Sequence, residues 1–575
     1  MAQSDNWIDA TGNWDDAPKW SAGVPDQDSD VTIGDTTNGN VTLNHAATIH
    51  SLTINASNVL ALVGTASLTV AGDFANTGDF GNSGTLDLDT NSLDGGGSLT
   101  IGGTLDNTKT VQVGSAFGNM GADTTLTLGG LVNESGASFK LFGSTSHAVT
   151  LAFSGTGFTG NDGTFELSNV APLTLNNAFT NSGVFQLDGN TPLTVAGDFG
   201  NSGTLDLDTN SLDGGGSLTI GGTLDNTKTV QVGSSLSNLG ADTTLTANGL
   251  NNTGTISLFG SASHQATLAV NGPATDSGTI NIEAFSNLTV TGGMFSNGGG
   301  NILVTGSGST VLLVNSSVTG GTLTLGSGGT LVAASGTSDS LQDVNVMNNG
   351  TLEAMGKLVV SSGISGSGQL QIDANATLEL GNGTSETTTF TGANAELRLD
   401  LPATSTFTGL ITNFDVSDIL ELGNRVATSA TPSLNGPNTT LTVNLDDGNT
   451  LTYTLAGDLT ADTFSATLVN GGVDSDIMIS GTGITATGST QISTLPDTVS
   501  TGVTTALAGG NPAPATDTAF GFGDISVSVP ARSATASTAG LMPASQSSGS
   551  DPLLVPPGSM APLIGPTAPH ATLFA

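Results

Sequence analysis

Residues 79–115 read DFGNSGTLDLDTNSLDGGGSLTIGGTLDNTKTVQVGS, and residues 198–234 read the same, 119 positions later (198 − 79). The likeness continues through GADTTLT at 121–127 and 240–246. It runs on through KLFGSTSHAVTLAF (140–153) and SLFGSASHQATLAV (257–270). Unrelated domains do not share such a stretch, so a segment has been duplicated. Inside it runs a shorter beat. Asn-Ser-Gly stands at 82–84, 181–183 and 201–203, and Asn-Thr-Gly at 76–78 and 252–254. Beside each lies a short alternating run such as Thr85-Leu86-Asp87-Leu88-Asp89 or Thr110-Val111-Gln112-Val113. Period-two runs of three to five residues between Gly/Asn/Ser turns are strands. No segment carries helical spacing with caps, so the chain reads as all-β.

Strands this short cannot carry a sandwich face. Coils of about 20 residues that stack by backbone hydrogen bonds bury one continuous apolar column. The expectation is a right-handed parallel β-helix of roughly 20–23 coils, about 100 Å long at ~4.8 Å per coil. A narrow column also fits an aromatic content of 4%. The competing fold, a string of β-sandwiches, needs longer strands and a period near ~100 residues. The division expected is a cap at 1–35, the solenoid at 36–384, a β region continuing or capping it at 385–482, and a low-complexity tail at 483–575.

Charge then narrows the function. The chain has 8 Lys+Arg against 48 Asp+Glu, a net charge of −40, with 82 Gly and no Cys. Eight bases over 575 positions make no patch for phosphates, which excludes nucleic-acid partners. An anionic membrane surface repels such a chain. Disulfides and Cys-based metal or redox sites are absent. No apolar run is long enough for a transmembrane helix. Residues 2–20 are polar, so if Met1 is the natural start no classical signal peptide is expected; if it is not, a removed signal is the alternative.

All three tryptophans, Trp7, Trp14 and Trp20, stand in NWIDATGNWDDAPKWSAGVPDQDSDVTIGD. A solenoid has open sheet ends that need covering, so this cluster reads as an end cap. The alternative is a sugar-stacking platform. The pattern W-x6-W-x5-W-S-x-G-V-P followed by Asp30-Val31-Thr32-Ile33 resembles the start of bacterial autotransporter-like and filamentous-haemagglutinin-like passenger domains. NNGTLEAMGKLVVSSGISGSGQLQIDANATLELGNG and TTFTGANAELRLDLPATSTFTGLITNFDVSDILELG, within 348–423, extend the likeness. So do Leu441–Asp447, Tyr453, Phe464 and Gly471-Gly472-Val473-Asp474. The resemblance implies an exported bacterial β-solenoid and names no ligand. It departs from the autotransporter pattern after 482, where no membrane barrel follows. The tail holds 11 of the 19 prolines. It reads either as the export segment of a one-step type I route or as a disordered end without an address.

No catalytic motif stands out. The bases are Lys19, Lys109, Lys140, Lys228, Lys357, Arg398, Arg425 and Arg532, and Lys109 and Lys228 are repeat copies. His147 and His264 are likewise copies; His45, His50 and His570 show no paired zinc spacing. For Ca²⁺ the strict Gly-Gly-x-Gly-x-Asp nonapeptide is missing. The nearest clusters are Asp87, Asp89 and Asp94, with copies Asp206, Asp208 and Asp213. The plainer reading is that Asp87 and Asp89 alternate outward on a strand. Scattered Thr pairs do not form an ice-binding array. The expectation is a secreted or surface bacterial protein with a structural or adhesive role and no catalysis. It would meet a glycan or protein of a cell surface, or self-associate in a biofilm matrix or surface layer. The alternative is a polysaccharide-active or carbohydrate-binding β-helix.

Overall fold

The computed structural model describes residues 3–34, 40–55, 58–62, 67–70, 74–76, 80–82, 84–90, 96–114, 120–210, 214–236 and 238–480. The tail from 481 on lies outside the described residues. The described chain is a parallel β-solenoid of about 17 turns. Each coil lays strands on three faces in turn. Ser29–Ile33 opens the first face, Asn40–Leu43 follows on the second and Ala46–Ile49 on the third. The next coil returns with Ser51–Ile54, which pairs in parallel with Ser29–Ile33. The third face is a continuous sheet of 15 strands ending at Ile364–Gly366. Beyond it two-faced coils run on to Ile419–Leu422.

The coils are fewer than the expected 20–23 because many are longer than 20 residues. Phe165 pairs with Phe185, 20 residues on, but Val113 pairs with Leu141, 28 on. At ~4.8 Å per coil the rod is about 80 Å long.

Alternation sends every second side chain inward. On the third face Leu86, Leu88, Val111, Val113, Phe139, Leu141, Phe165 and Leu167 are buried in one column. Midway along, phenylalanines fill it. Phe139 stacks on Phe165 at 5.4 Å, Phe165 on Phe185 at 5.1 Å, and Phe179 on Phe199 at 5.4 Å.

In the Asn-Ser/Thr-Gly beat, Asn76 ends the first-face strand Phe74–Asn76, whereas the copies at 82–84, 181–183, 201–203 and 252–254 mark the corner between second and third faces. Asn82, Asn107, Asn133, Asn161, Asn181, Asn201, Asn226 and Asn252 stack there, each at most 2% exposed. Each side-chain Nδ2 donates to the next Asn Oδ1 at 2.7–3.0 Å, and Asn252 donates to Asp276 Oδ1 at 2.8 Å. Most also donate to the backbone carbonyl that begins the third face one coil on, as Asn181 does to Thr204. A buried amide satisfied in this way locks the coil register. The glycine that follows is required by close stacking. A Cβ at Gly203 would lie 2.0 Å from the Gly183 carbonyl oxygen.

Both ends are closed by the chain itself. Gln3–Trp7 and Thr11–Asn13 are the lowest rungs of two faces, so the cap is itself the first coil. Its outer edge is covered by 15–21. Ile8 N–H donates to the Lys19 carbonyl, Ser21 N–H to the Asn6 carbonyl, and Asn13 N–H to Asp16 Oδ2. At the other end Ala427–Asn435, Asn438–Leu445 and Thr450–Ala456 form an antiparallel sheet that joins Leu410–Thr412. The hairpin Phe464–Val469 and Asp474–Ile479 joins Ile419–Leu422 antiparallel. Pro432 stands in the outer strand, where a residue without an N–H blunts the edge.

Candidate functional site

The tryptophans do not form a sugar platform. Trp7, Trp14 and Trp20 are 0%, 1% and 3% exposed, so no ring face is open to a ligand. Trp20 packs edge-on against Trp7 at 4.9 Å and Trp14 at 5.0 Å, and its Nε1 donates to the Trp14 carbonyl at 2.7 Å. They plug the base of the apolar column.

The six aspartates fall into three pairs. Asp94 and Asp213 lie outside the described residues. Asp89 and Asp208 do not alternate outward. Each turns the corner with φ of 51° and is at most 1% exposed. Asp89 Oδ2 accepts from Thr124 Oγ1 and from Gly97 N–H at 3.1 Å. Asp208 Oδ2 does the same with Thr243 Oγ1 and Gly216 N–H at 2.9 Å. These carboxylates tie the loop back onto the next coil. Short polar side chains tolerate left-handed backbone, but alternation extrapolated to a strand's last residue gives no hint of it.

Asp87 and Asp206 do face outward, in one row of the third face. The row runs Thr69, Asp87, Gln112, Lys140, Glu166, Gln186, Asp206, Gln231, Ser257. Lys140 and Glu166 pair at 2.7 Å. Half-burial between stacked neighbours raises Asp87, and it pushes Asp206 up to about 6. The two copies are five coils apart, about 24 Å, so they cannot share one ion. Among the described residues no group of three His, Asp or Glu is placed to hold a metal.

The C-terminal end gathers chemistry that the motif search did not single out. On the second face Glu379, Arg398 and Glu421 are register neighbours. Arg398 contacts Glu421 through Nη1, and Asp400 and Asp474 through Nη2, both at 3.2 Å. Burial works against the Arg398 charge, but these carboxylates outweigh it and hold the guanidinium firmly protonated. Burial also raises Glu421 and Asp476, and the Glu396 carboxyl pushes both further the same way. Asn470 Nδ2 donates to Glu421 Oε1 at 3.1 Å and to Asp474 Oδ2 at 2.7 Å. The network pins the last hairpin to the last coil.

Beside it is a cavity of about 240 Å³ between the last coils and the end sheet. Leu399, Leu401, Phe407, Leu422, Leu451 and Tyr453 give it apolar walls. Ser405, Thr406, Thr408, Thr450 and Thr452 bring hydroxyls, and Arg425 brings the one positive charge in the lining. Phe407 and Tyr453 meet at 6.5 Å. Burial raises the Tyr453 phenol far beyond its ordinary range, so it stays a neutral hydroxyl. The rim loop is held by Gly383 N–H to Ser405 Oγ at 2.7 Å and Thr408 N–H to the Thr384 carbonyl at 2.9 Å. Ser475 Oγ donates to the Arg425 carbonyl at 2.9 Å and fixes that backbone. The lining runs from Leu399 to Tyr453, 54 positions apart (453 − 399), which is why no spacing in the sequence announces it.

No protein family, curated protein or solved structure matches the chain. Among the described residues no helix is long and apolar enough to cross a membrane.

Proposed function

We propose that this chain is an exported bacterial solenoid that works at the cell surface or outside it, as an adhesive or structural rod without catalysis. One observation carries the reading. An identical surface occurs twice on the same lateral face, in register and five coils apart. Repetition of that kind serves multivalent contact. Two weak contacts on a rigid spacer strengthen retention by about 10²–10⁴ when both engage. The resemblance to autotransporter-like passenger domains supports the placement outside the cell. Closed ends favour contact through the sides of the rod over end-to-end stacking.

The test is binding of the purified chain to a panel of immobilised polysaccharides and matrix proteins, with the soluble products monitored. Saturable retention on at least one surface, with no polysaccharide shortened, is the expected result. Cleavage of any polysaccharide overturns the reading, and so does the absence of retention on every surface.

A further inference from the structure

We infer that the cavity at the C-terminal end is a binding site for a single acidic sugar residue, a hexuronate carried on a polysaccharide. The inference deepens the adhesive reading and rests on it only for the source of the sugar.

Three features select this chemistry. The first is size. A cavity of about 240 Å³ holds the volume of about eight waters at ~30 Å³ each. That is room for one ring and its substituents, below the usual span for drug-sized ligands. The second is the lining. Leucines with Phe407 and Tyr453 offer an apolar wall to the C–H face of a pyranose. The hydroxyls of Ser405, Thr406, Thr408, Thr450 and Thr452 can each donate and accept, which suits a ring bearing several hydroxyls.

The third feature is charge. The chain has only eight Lys and Arg, and Arg532 lies outside the described residues. Lys19, Lys140, Lys357 and Arg398 are all ion-paired. Among the described residues Arg425, like Lys109 and Lys228, makes no ion pair, although carboxylates are abundant. Asp447 is close enough for the Arg425 charge to help hold it low, but its own hydrogen bonds from Asn449 N–H and Nδ2 dominate. An arginine left unpaired in the wall of a half-apolar cavity offers its planar fork to a carboxylate from outside. A neutral sugar leaves that fork unused. A free small anion leaves the apolar wall and the hydroxyls unused.

The experiment titrates the full chain with sodium glucuronate, glucose, methyl glucuronate ester and sodium acetate, read by calorimetry or by chemical shifts. Glucuronate is expected to saturate at least tenfold more tightly than the other three. R425Q is expected to weaken it tenfold or more while leaving the melting temperature unchanged. L451W, which fills the cavity from its rim, gives the same loss without touching the charge. The inference falls if glucuronate does not saturate the wild-type chain, or if binding is unchanged in both variants. It also falls if acetate binds as tightly as glucuronate. If glucuronate fails to saturate the wild-type chain while panel surfaces still retain it, the sugar site falls and the adhesive rod stands.

Discussion

At the scale of single residues, the asparagine ladder shows how a polar side chain specifies a fold. Each Asn between Asn82 and Asn252 both gives and takes a hydrogen bond along the stack. Asp276 interrupts the scheme. Its Oδ1 accepts from Asn252 Nδ2 at 2.8 Å and Gly278 N–H at 3.0 Å. Its Oδ2 is buried without a partner, as is Asn297 Oδ1 in the next coil. Both oxygens crowd the same spot; a Cβ at Gly300 would lie 2.6 Å from one and 2.5 Å from the other. The elements packed around Asp276, Thr243–Asn252, Thr279–Ile282, Met294–Ser296 and Asn301–Val304, carry no charged side chain. Burial therefore raises Asp276 above its ordinary 3.8, against the pull of its two donors. A raised acid favours the folded state fully below the unfolded value, and that contribution is lost as pH climbs through the folded value. D276N restores a donor toward Asn297. It is expected to stabilise the chain by about 1 kcal/mol at neutral and higher pH, with no gain in acid. Denaturant midpoints across pH measure this; equal midpoints for both proteins at every pH would contradict it.

At the scale of elements, the ends differ from the middle because an end strand has a neighbour on one side only. The N-terminal coil answers with three tryptophans beneath it and a crossing segment along its edge. Removing Trp20 takes away a buried ring that touches both partners. W20A is expected to cost about 3–5 kcal/mol, concentrated in the first coils. Hydrogen exchange should quicken across Gln3–Trp7 and Ser29–Ile33 while the Asn161–Asn252 region stays protected. Uniform loss of protection along the whole rod would show instead that the cap holds every coil.

This scale also shows what could be read in advance. Period-two strands and the Asn-x-Gly beat announce stacked β-coils, because each signal arises within a few consecutive residues. The beat's cause, a buried ladder, was hidden, since Asn at a turn looks the same whether its amide faces water or the next coil. The coil count expected from the sequence is too high, because a coil longer than 20 residues, such as the step from Val113 to Leu141, carries no marker of its length. Asp89 was misplaced because one left-handed corner reverses the side that alternation assigns. The sugar cavity gave no signal at all. Arg425, Phe407 and Tyr453 meet only once the end sheet folds over the last coil.

At the scale of the whole molecule, 48 acids against 8 bases give the chain a net charge of −40, which repels like-charged copies. The duplication makes the rod modular in a way that can be used. Joining residue 78 to residue 198 removes one exact period, and the strand register is preserved because Phe80 and Phe199 head identical sequences. The shortened chain should fold and be about 24 Å shorter, five coils at ~4.8 Å. It keeps both caps and the C-terminal cavity, but one copy of the lateral surface in place of two. The decisive measurement is therefore the residence time of the full and shortened chains, side by side, on a surface that retains the full chain. Bivalent contact through the duplicated face predicts that the full chain stays at least tenfold longer. Equal residence times would contradict it.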